Sequence, residues 1–216
     1  MDYAILRKRM EIISKTIEQL GGEVLEVFID QPASVERINE IEITLGYELP
    51  KSFKKVLLEF SSHFSLKWFF HDDMERPYEF REIFSGRFHW NLNLLSQMEK
   101  DKEYWIDSVY PDEEDEADRV WHNKLAFCDV GNGDYLAFDL SDMEDASIVY
   151  LNHEKGLGHG YIIADNFLEL LENWSRIAFV GEEDAQWLPF TEDKESGIVP
   201  EGETAKRFRE WLNLNI

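Results

Sequence analysis

"KLAFCDVGNGDYLAFDL", Lys124 to Leu140, sets two strand-like arms around Asn132-Gly133. Asn and Gly tolerate positive φ, which tight hairpin turns demand. In the second arm Tyr135 and Ala137 point one way, and Leu136, Phe138 and Leu140 the other. "SIVYLNHE", Ser147 to Glu154, reads as a third strand, so the segment predicts an antiparallel meander. Two chemical readings of the glycines fail. An EF-hand calcium loop needs Asp-x-[Asp/Asn]-x-[Asp/Asn]-Gly, whereas Asp129, Asn132 and Asp134 are spaced by three and two. A Rossmann phosphate loop needs a third glycine opening a helix, and here a strand follows. Asn132 and Gly133 are therefore assigned to a structural turn, with Asp134 expected to matter less.

Around this meander the chain alternates helices and short strands. Leu6, Met10, Ile13, Ile17 and Leu20 recur at helical spacing until Gly21-Gly22. "EVLEVFI" alternates as a strand. In "SVERINEIEITLG" Ser34 can cap a helix whose apolar face holds Val35, Ile38, Ile41 and Leu45, with Gly46 as its stop. "LPKSFKKVLLEFSSHF" predicts a second helix with Pro50 in its first turn and Phe53, Val56, Leu57, Phe60 and Phe64 on one side. The aromatic stretch from about Trp68 to Trp90 lacks helical period and reads as strands and loops, and a further helix is expected within residues 91–107. In "DNFLELLENWSRIAF" Asp165 is the expected cap of a helix burying Phe167, Leu170, Leu171, Trp174 and Ile177. A last helix runs from Glu203 to about Leu212. The fold class is α+β, a largely antiparallel sheet meander with amphipathic helices packed on it. One domain over 1–216 is expected, with an extra N-terminal helix (about 1–22) and a C-terminal helical extension (about 188–216).

The 216 residues carry 22 Lys+Arg against 45 Asp+Glu, a formal charge of −23. Residues 101–150 hold 15 acids and 3 bases, a net of −12 and so more than half of the total. Such a surface repels nucleic acid and anionic lipid, and attracts basic partners. No stretch approaches the ~20 apolar residues of a membrane span. A single cysteine, Cys128, cannot form an internal disulfide, and no signal peptide is visible, so a cytoplasmic location is expected. Cys128 reads as a packed thiol.

Chemical motifs are sparse. "NHEKGLGHGY" begins like a zinc-protease H-E-x-x-H, but position 157 is Leu, and His159 falls in a glycine-rich loop. A strand end and loop explain His153 and His159 better than a metal pair does. No serine sits in G-x-S-x-G. No catalytic residue, cofactor or metal is expected. "DEEDEAD" (112–118), with six acids in seven positions, reads as a solvated loop or helix end. "GEEDAQW" (181–187) is either an acidic, aromatic recognition patch or a loop that docks Trp187 into the core.

Four segments resemble, in order, the SUKH superfamily of Smi/Knr-type domains: "INEIEITLGYELPKSFKKVLLEF" (38–60), "LAFCDVGNGDYLAFDLSD" (125–142), "SIVYLNHE" (147–154) and "NFLELLENW" (166–174). The resemblance covers about Val35 to Trp174. It implies a non-enzymatic binding module of α+β architecture. Bacterial members are commonly immunity proteins that bind and block a cognate polymorphic or contact-dependent toxin, often a nuclease, and fungal members are regulatory scaffolds. No toxin-contacting residue carries over by motif. Charge and aromatic content nominate Asp112, Glu113, Glu114, Asp115, Glu116, Trp105, Tyr110, Glu182, Glu183, Asp184 and Trp187 as partner-binding residues, the partner being a basic toxin domain. The alternative is that the acids only confer solubility.

Overall fold

The computed structural model describes residues 1–142 and 144–216. Two antiparallel sheets organise it. The first has β1 (Glu23–Ile29), β2 (His63–Phe69) and β3 (Ser85–Asn91) in sequential order. The second is the expected meander: β4 (Lys124–Asp129), β5 (Tyr135–Asp139), β6 (Ile148–Leu151) and β7 (Ile162–Ala164). The helices are α1 (Tyr3–Gln19), α2 (Val35–Leu45), α3 (Lys51–Glu59), α4 (Leu95–Val109), α5 (Glu116–Arg119), α6 (Phe167–Ser175), α7 (Asp184–Trp187) and α8 (Glu203–Leu212). Two antiparallel sheets with packed helices make this an α+β fold.

The core is built of aromatic rings at the sheet–helix boundary. Phe53 of α3 and Phe167 of α6 meet at 4.7 Å, and both contact Phe138 of β5. Phe64 stacks on Trp90, centroids 4.5 Å apart, and Phe88 stacks on Phe179 and Trp174. Buried side chains from Leu6 to Leu214 join one hydrophobic cluster. Trp68 lies flat across Gly86, its registered partner on β3. A Cβ on Gly86 would fall 1.9 Å from the indole nitrogen, which donates to the Ala178 carbonyl at 2.8 Å.

Several local expectations are corrected. Helix α3 ends at Glu59, because Phe60 leaves helical geometry, and Phe64 belongs to β2. Pro50 precedes the helix as its cap. Val35 points to solvent, since α2 buries only Ile38 and Ile41. Asn166, not Asp165, caps α6, its side chain accepting from Glu169 N. Tyr135 through Phe138 are all buried, so the second arm has no wet face. Tyr135 meets Trp121 on one side and Phe138 meets Phe127 on the other. The hairpin connection is five residues long, closed by Val130 N donating to the Asp134 carbonyl at 3.0 Å. Positive φ falls on Gly131 (94°) and Gly133 (103°), not on Asn132. Asn132 instead fixes the turn through its side chain, accepting from Asp134 N at 2.9 Å and donating to Asp134 Oδ2 at 3.0 Å.

Candidate functional site

Tyr110 ends α4 outside helical geometry, φ −125° and ψ 50°, as the following Pro111 disfavours helical backbone at the residue before it. The acidic loop therefore leaves the helix sharply. Asp112, Glu113, Glu114, Asp115 and Glu116 are all exposed. They are nevertheless fixed. Asp115 caps α5, accepting from Ala117 N at 2.9 Å and Asp118 N at 3.0 Å. Those two backbone donors hold its carboxyl below the usual carboxylate range. Asp112 accepts from Glu114 N at 3.0 Å. Asp118, the last acid of the run, is buried rather than solvated, and it pairs with Lys155. The hydrogen bond that Lys155 donates to Asp118 leads the interactions that raise the Lys155 pKa.

The loop after β6 docks against this one. His159 Nδ1 accepts from Asn152 N at 3.1 Å, and Nε2 faces the Ala117 carbonyl at 2.9 Å. One ring nitrogen must accept and the other must donate, so this contact fixes the neutral tautomer with its proton on Nε2. Burial lowers the His159 pKa accordingly. His159 has no ring nitrogen left for a metal. Leu157, at the tip of the same loop, is 77% exposed.

Beneath both loops lies a polar hub. Asp134 is buried and accepts from Tyr150 OH (2.6 Å), His153 Nδ1 (2.6 Å), His153 N (2.8 Å) and Asn132 Nδ2 (3.0 Å). Burial, then the Asp134 carboxylate, pushes the Tyr150 hydroxyl pKa far up. Tyr110 donates to the His153 carbonyl and stacks on Trp121 at 4.7 Å. Asp134 was expected to matter less than the turn residues, yet it joins the hairpin, β6 and the His153 loop. Its signal was present only as the pairing of Asp134 with His153 and Tyr150 across the meander, which needs the register to be known.

The nominated residues therefore separate into two groups. Asp112 to Glu116 share one exposed loop, and Glu183 is exposed elsewhere. Tyr110, Trp187 and Glu182 are at most 2% exposed and leave the candidate contact surface. Of the two readings of Gly181–Trp187, docking into the core holds: Trp187 packs on Tyr150 and donates to the Glu182 carbonyl at 3.1 Å. Asp184 is half-buried beside Asn152, and Trp105 is half-buried against Tyr110 and His153. Leu157 was missed because a lone leucine in a glycine-rich loop carries no periodic signal. Cys128 is buried as expected, but it is also hydrogen-bonded, donating to Glu182 Oε1 at 2.9 Å. Burial and the Glu182 charge push its thiol pKa well up.

A sequence profile of the SMI1 / KNR4 family (SUKH-1) matches residues 32–173, about two thirds of the chain. The chain belongs to this family. No curated protein matches it. The SUKH match takes in the hairpin, the Asp134 hub and the acidic loop, and leaves α1, β1 and the segment from Glu182 onward outside it. Members of this family are generally non-enzymatic immunity or regulatory proteins, and no helix among the described residues is long and apolar enough to cross a membrane.

Proposed function

We propose that the chain is an immunity protein that binds a basic toxin domain, in the cytoplasm of the bacterial cell that makes it, and blocks the toxin's substrate surface. The observation that carries this reading is the loop 112–116, five exposed acids held in a fixed shape on a SUKH domain. A nuclease needs a basic surface to hold phosphates, and a fixed array of carboxylates can occupy that surface electrostatically. Leu157 on the adjoining loop offers an apolar anchor of the kind that sets dissociation. The reading treats 1–216 as one binding unit, with 1–22 and 188–216 as extensions of the SUKH region.

A regulatory scaffold is the second reading, favoured by β1. That strand closes one side of its sheet and leaves Leu25, Val27 and Phe28 exposed, a surface that could take a further protein. The test is whether the neighbouring reading frame encodes a toxic domain that copurifies with the chain, followed by association kinetics over a range of ionic strength. Replacing Asp112 to Glu116 with Asn and Gln should slow association at low salt and leave dissociation nearly unchanged. Equal association rates for parent and variant at low salt would remove the acidic loop from the contact. Capture of several unrelated partners and no toxin would favour the scaffold.

A further inference from the structure

The two sheets meet where β3 passes β4, and a second polar cluster fills that seam. His89 projects from β3 on the face opposite Phe88 and Trp90. Cys128 comes from β4, next to the irregularity between Ala126 and Cys128. Glu182 is brought in by the segment that leaves α6, which Gly181 N ties to the Ser85 carbonyl at 2.9 Å. Donor atoms of all three side chains lie within 4.8 Å of one another.

We propose that His89, Cys128 and Glu182 form a binding site for a thiophilic divalent cation of the zinc class. The donor set, one imidazole, one thiol and one carboxylate, matches what Zn²⁺ accepts in tetrahedral sites. Zn–N and Zn–S bonds of ~2.1 and ~2.3 Å at a tetrahedral angle hold the N and S atoms ~3.6 Å apart. His89 Nδ1 and Cys128 Sγ are 3.5 Å apart. Glu182 Oε1 lies closer, 2.8 Å from Nδ1 and 2.9 Å from Sγ, because in the ion-free form it accepts from both. A shift of about half an ångström in the carboxylate opens that triangle into one face of a metal tetrahedron.

A second observation concerns Glu182 itself. Its side chain is 1% exposed, yet among the described residues nothing donates a hydrogen bond to Oε2. Arg87 Nε stands 3.3 Å from that atom, off the line of a bond, while Arg87 Nη1 donates to the Val130 carbonyl at 2.7 Å. A buried carboxylate oxygen without a donor is costly, and a cation would supply the missing partner. Binding balances: the Cys128 S–H releases its proton to solvent and a metal–sulfur bond forms, while the neutral His89 ring, which donates from Nδ1 in the ion-free form, exchanges that proton through solvent for one on Nε2 and frees Nδ1 for the ion. The ion, thiolate and carboxylate sum to zero charge, which leaves the partly exposed Arg87 guanidinium as the net charge beside the site. His89 and Arg87 are both partly exposed and give the ion an access route. His89 and Cys128 lie within the residues that match the family, and Glu182 comes from the segment beyond them.

Co²⁺ is the probe, because its bond to a thiolate absorbs in the near ultraviolet and Zn²⁺ displaces it without changing the geometry. The untagged full-length chain, stripped with a chelator, is titrated with Co²⁺. Expected are one ion per chain, a sulfur-to-cobalt charge-transfer band, release of about one proton, and loss of the band on adding Zn²⁺. Cys128→Ser should abolish the band. His89→Ala, a change at a partly exposed position, keeps the fold by circular dichroism and weakens binding more than ~100-fold, beyond the usual effect of a residue outside the ligand set. A Co²⁺ complex without the band, a band of unchanged affinity in His89→Ala, or no binding at large excess of Co²⁺ would overturn the proposal.

Discussion

Replacing Asp134 with Ala should cost more stability than any change in the turn it follows. The carboxylate collects four donors, of which Tyr150 OH is fully buried and the two of His153 are partly so. A buried donor stripped of its acceptor costs roughly 1–3 kcal/mol, and bonds to a charged acceptor fall in the upper part of that range. Two such losses, Tyr150 OH and His153 N, give about 3–4 kcal/mol, with Asn132 adding little because it is exposed. A domain has about 5–15 kcal/mol in all, so the variant would lose a large share. Tyr150→Phe removes one donor and leaves the acid three others, so about 1 kcal/mol is expected. The double variant should then cost less than the sum of the singles by about 1–2 kcal/mol. Urea unfolding followed by tryptophan fluorescence measures all four forms. An Asp134→Ala midpoint close to that of the parent, or strict additivity with Tyr150→Phe, would refute the idea that this carboxylate ties the hairpin to β6.

Gly86→Ala should yield little soluble protein, since its Cβ would sit 1.9 Å from Trp68 Nε1 and force the indole off Ala178; a melting temperature near the parent's would contradict this. Gly133→Val should destabilise clearly, because φ is 103° and a Cβ would approach the His153 ring to 3.1 Å, whereas Asn132→Ala should cost below about 1 kcal/mol on an exposed turn. His159 gives a pH test. Its folded pKa lies below the unfolded value of 6.5, so the unfolded chain binds more protons and stability falls as pH drops through about 6.5. The parent should lose that increment relative to His159→Gln between about pH 7.5 and 5, and parallel urea midpoints would remove His159 as its source. Cys128 in the chelator-treated native protein should react slowly with thiol reagents, because its thiol is buried and its pKa raised; rapid labelling before unfolding would contradict that burial.

Periodicity made the helices and the meander legible, because burial of one face imposes a repeat on the residues themselves. Ile38 and Ile41, and Phe167 and Trp174, fall where their spacing placed them. The end of α3 was not legible. Phe60 and Phe64 continue a helical spacing by accident, while the strand that claims Phe64 is fixed by its ladder to Trp90. Asp165 and Asn166 are both competent caps, and only the backbone of residue 166 (φ −162°, ψ 172°) decides between them. The aromatics of the site misled for a different reason. Tyr110 and Trp187 look alike on an acidic surface and in a core, and the rings that bury them, Trp121 stacked on Tyr110 and Tyr150 edge-on to Trp187, meet them only through tertiary packing.

The same packing explains how a loop with five exposed acids keeps a shape. Like charges in a row repel and favour extended, mobile chain. Here the repulsion is opposed from below: Asp118 pairs with Lys155, the Ala117 carbonyl accepts from His159 Nε2, and Glu113 lies 3.5 Å from His122, whose other nitrogen meets the Tyr110 carbonyl. Asp118 is buried and His159 and His122 are half-buried, so their side of each contact is screened less by salt than the exposed acids above. On the proposed immunity reading, a loop so held would meet its partner without first being ordered, which lowers the entropic cost of binding. The consequence is separable from charge. Lys155→Met leaves every carboxylate of 112–116 in place and releases the Asp118 anchor. If order matters, that variant keeps salt-dependent association with the toxin yet dissociates faster. If only the charge matters, both rates stay at the parent's values, and the buried contacts beneath the loop serve the fold alone.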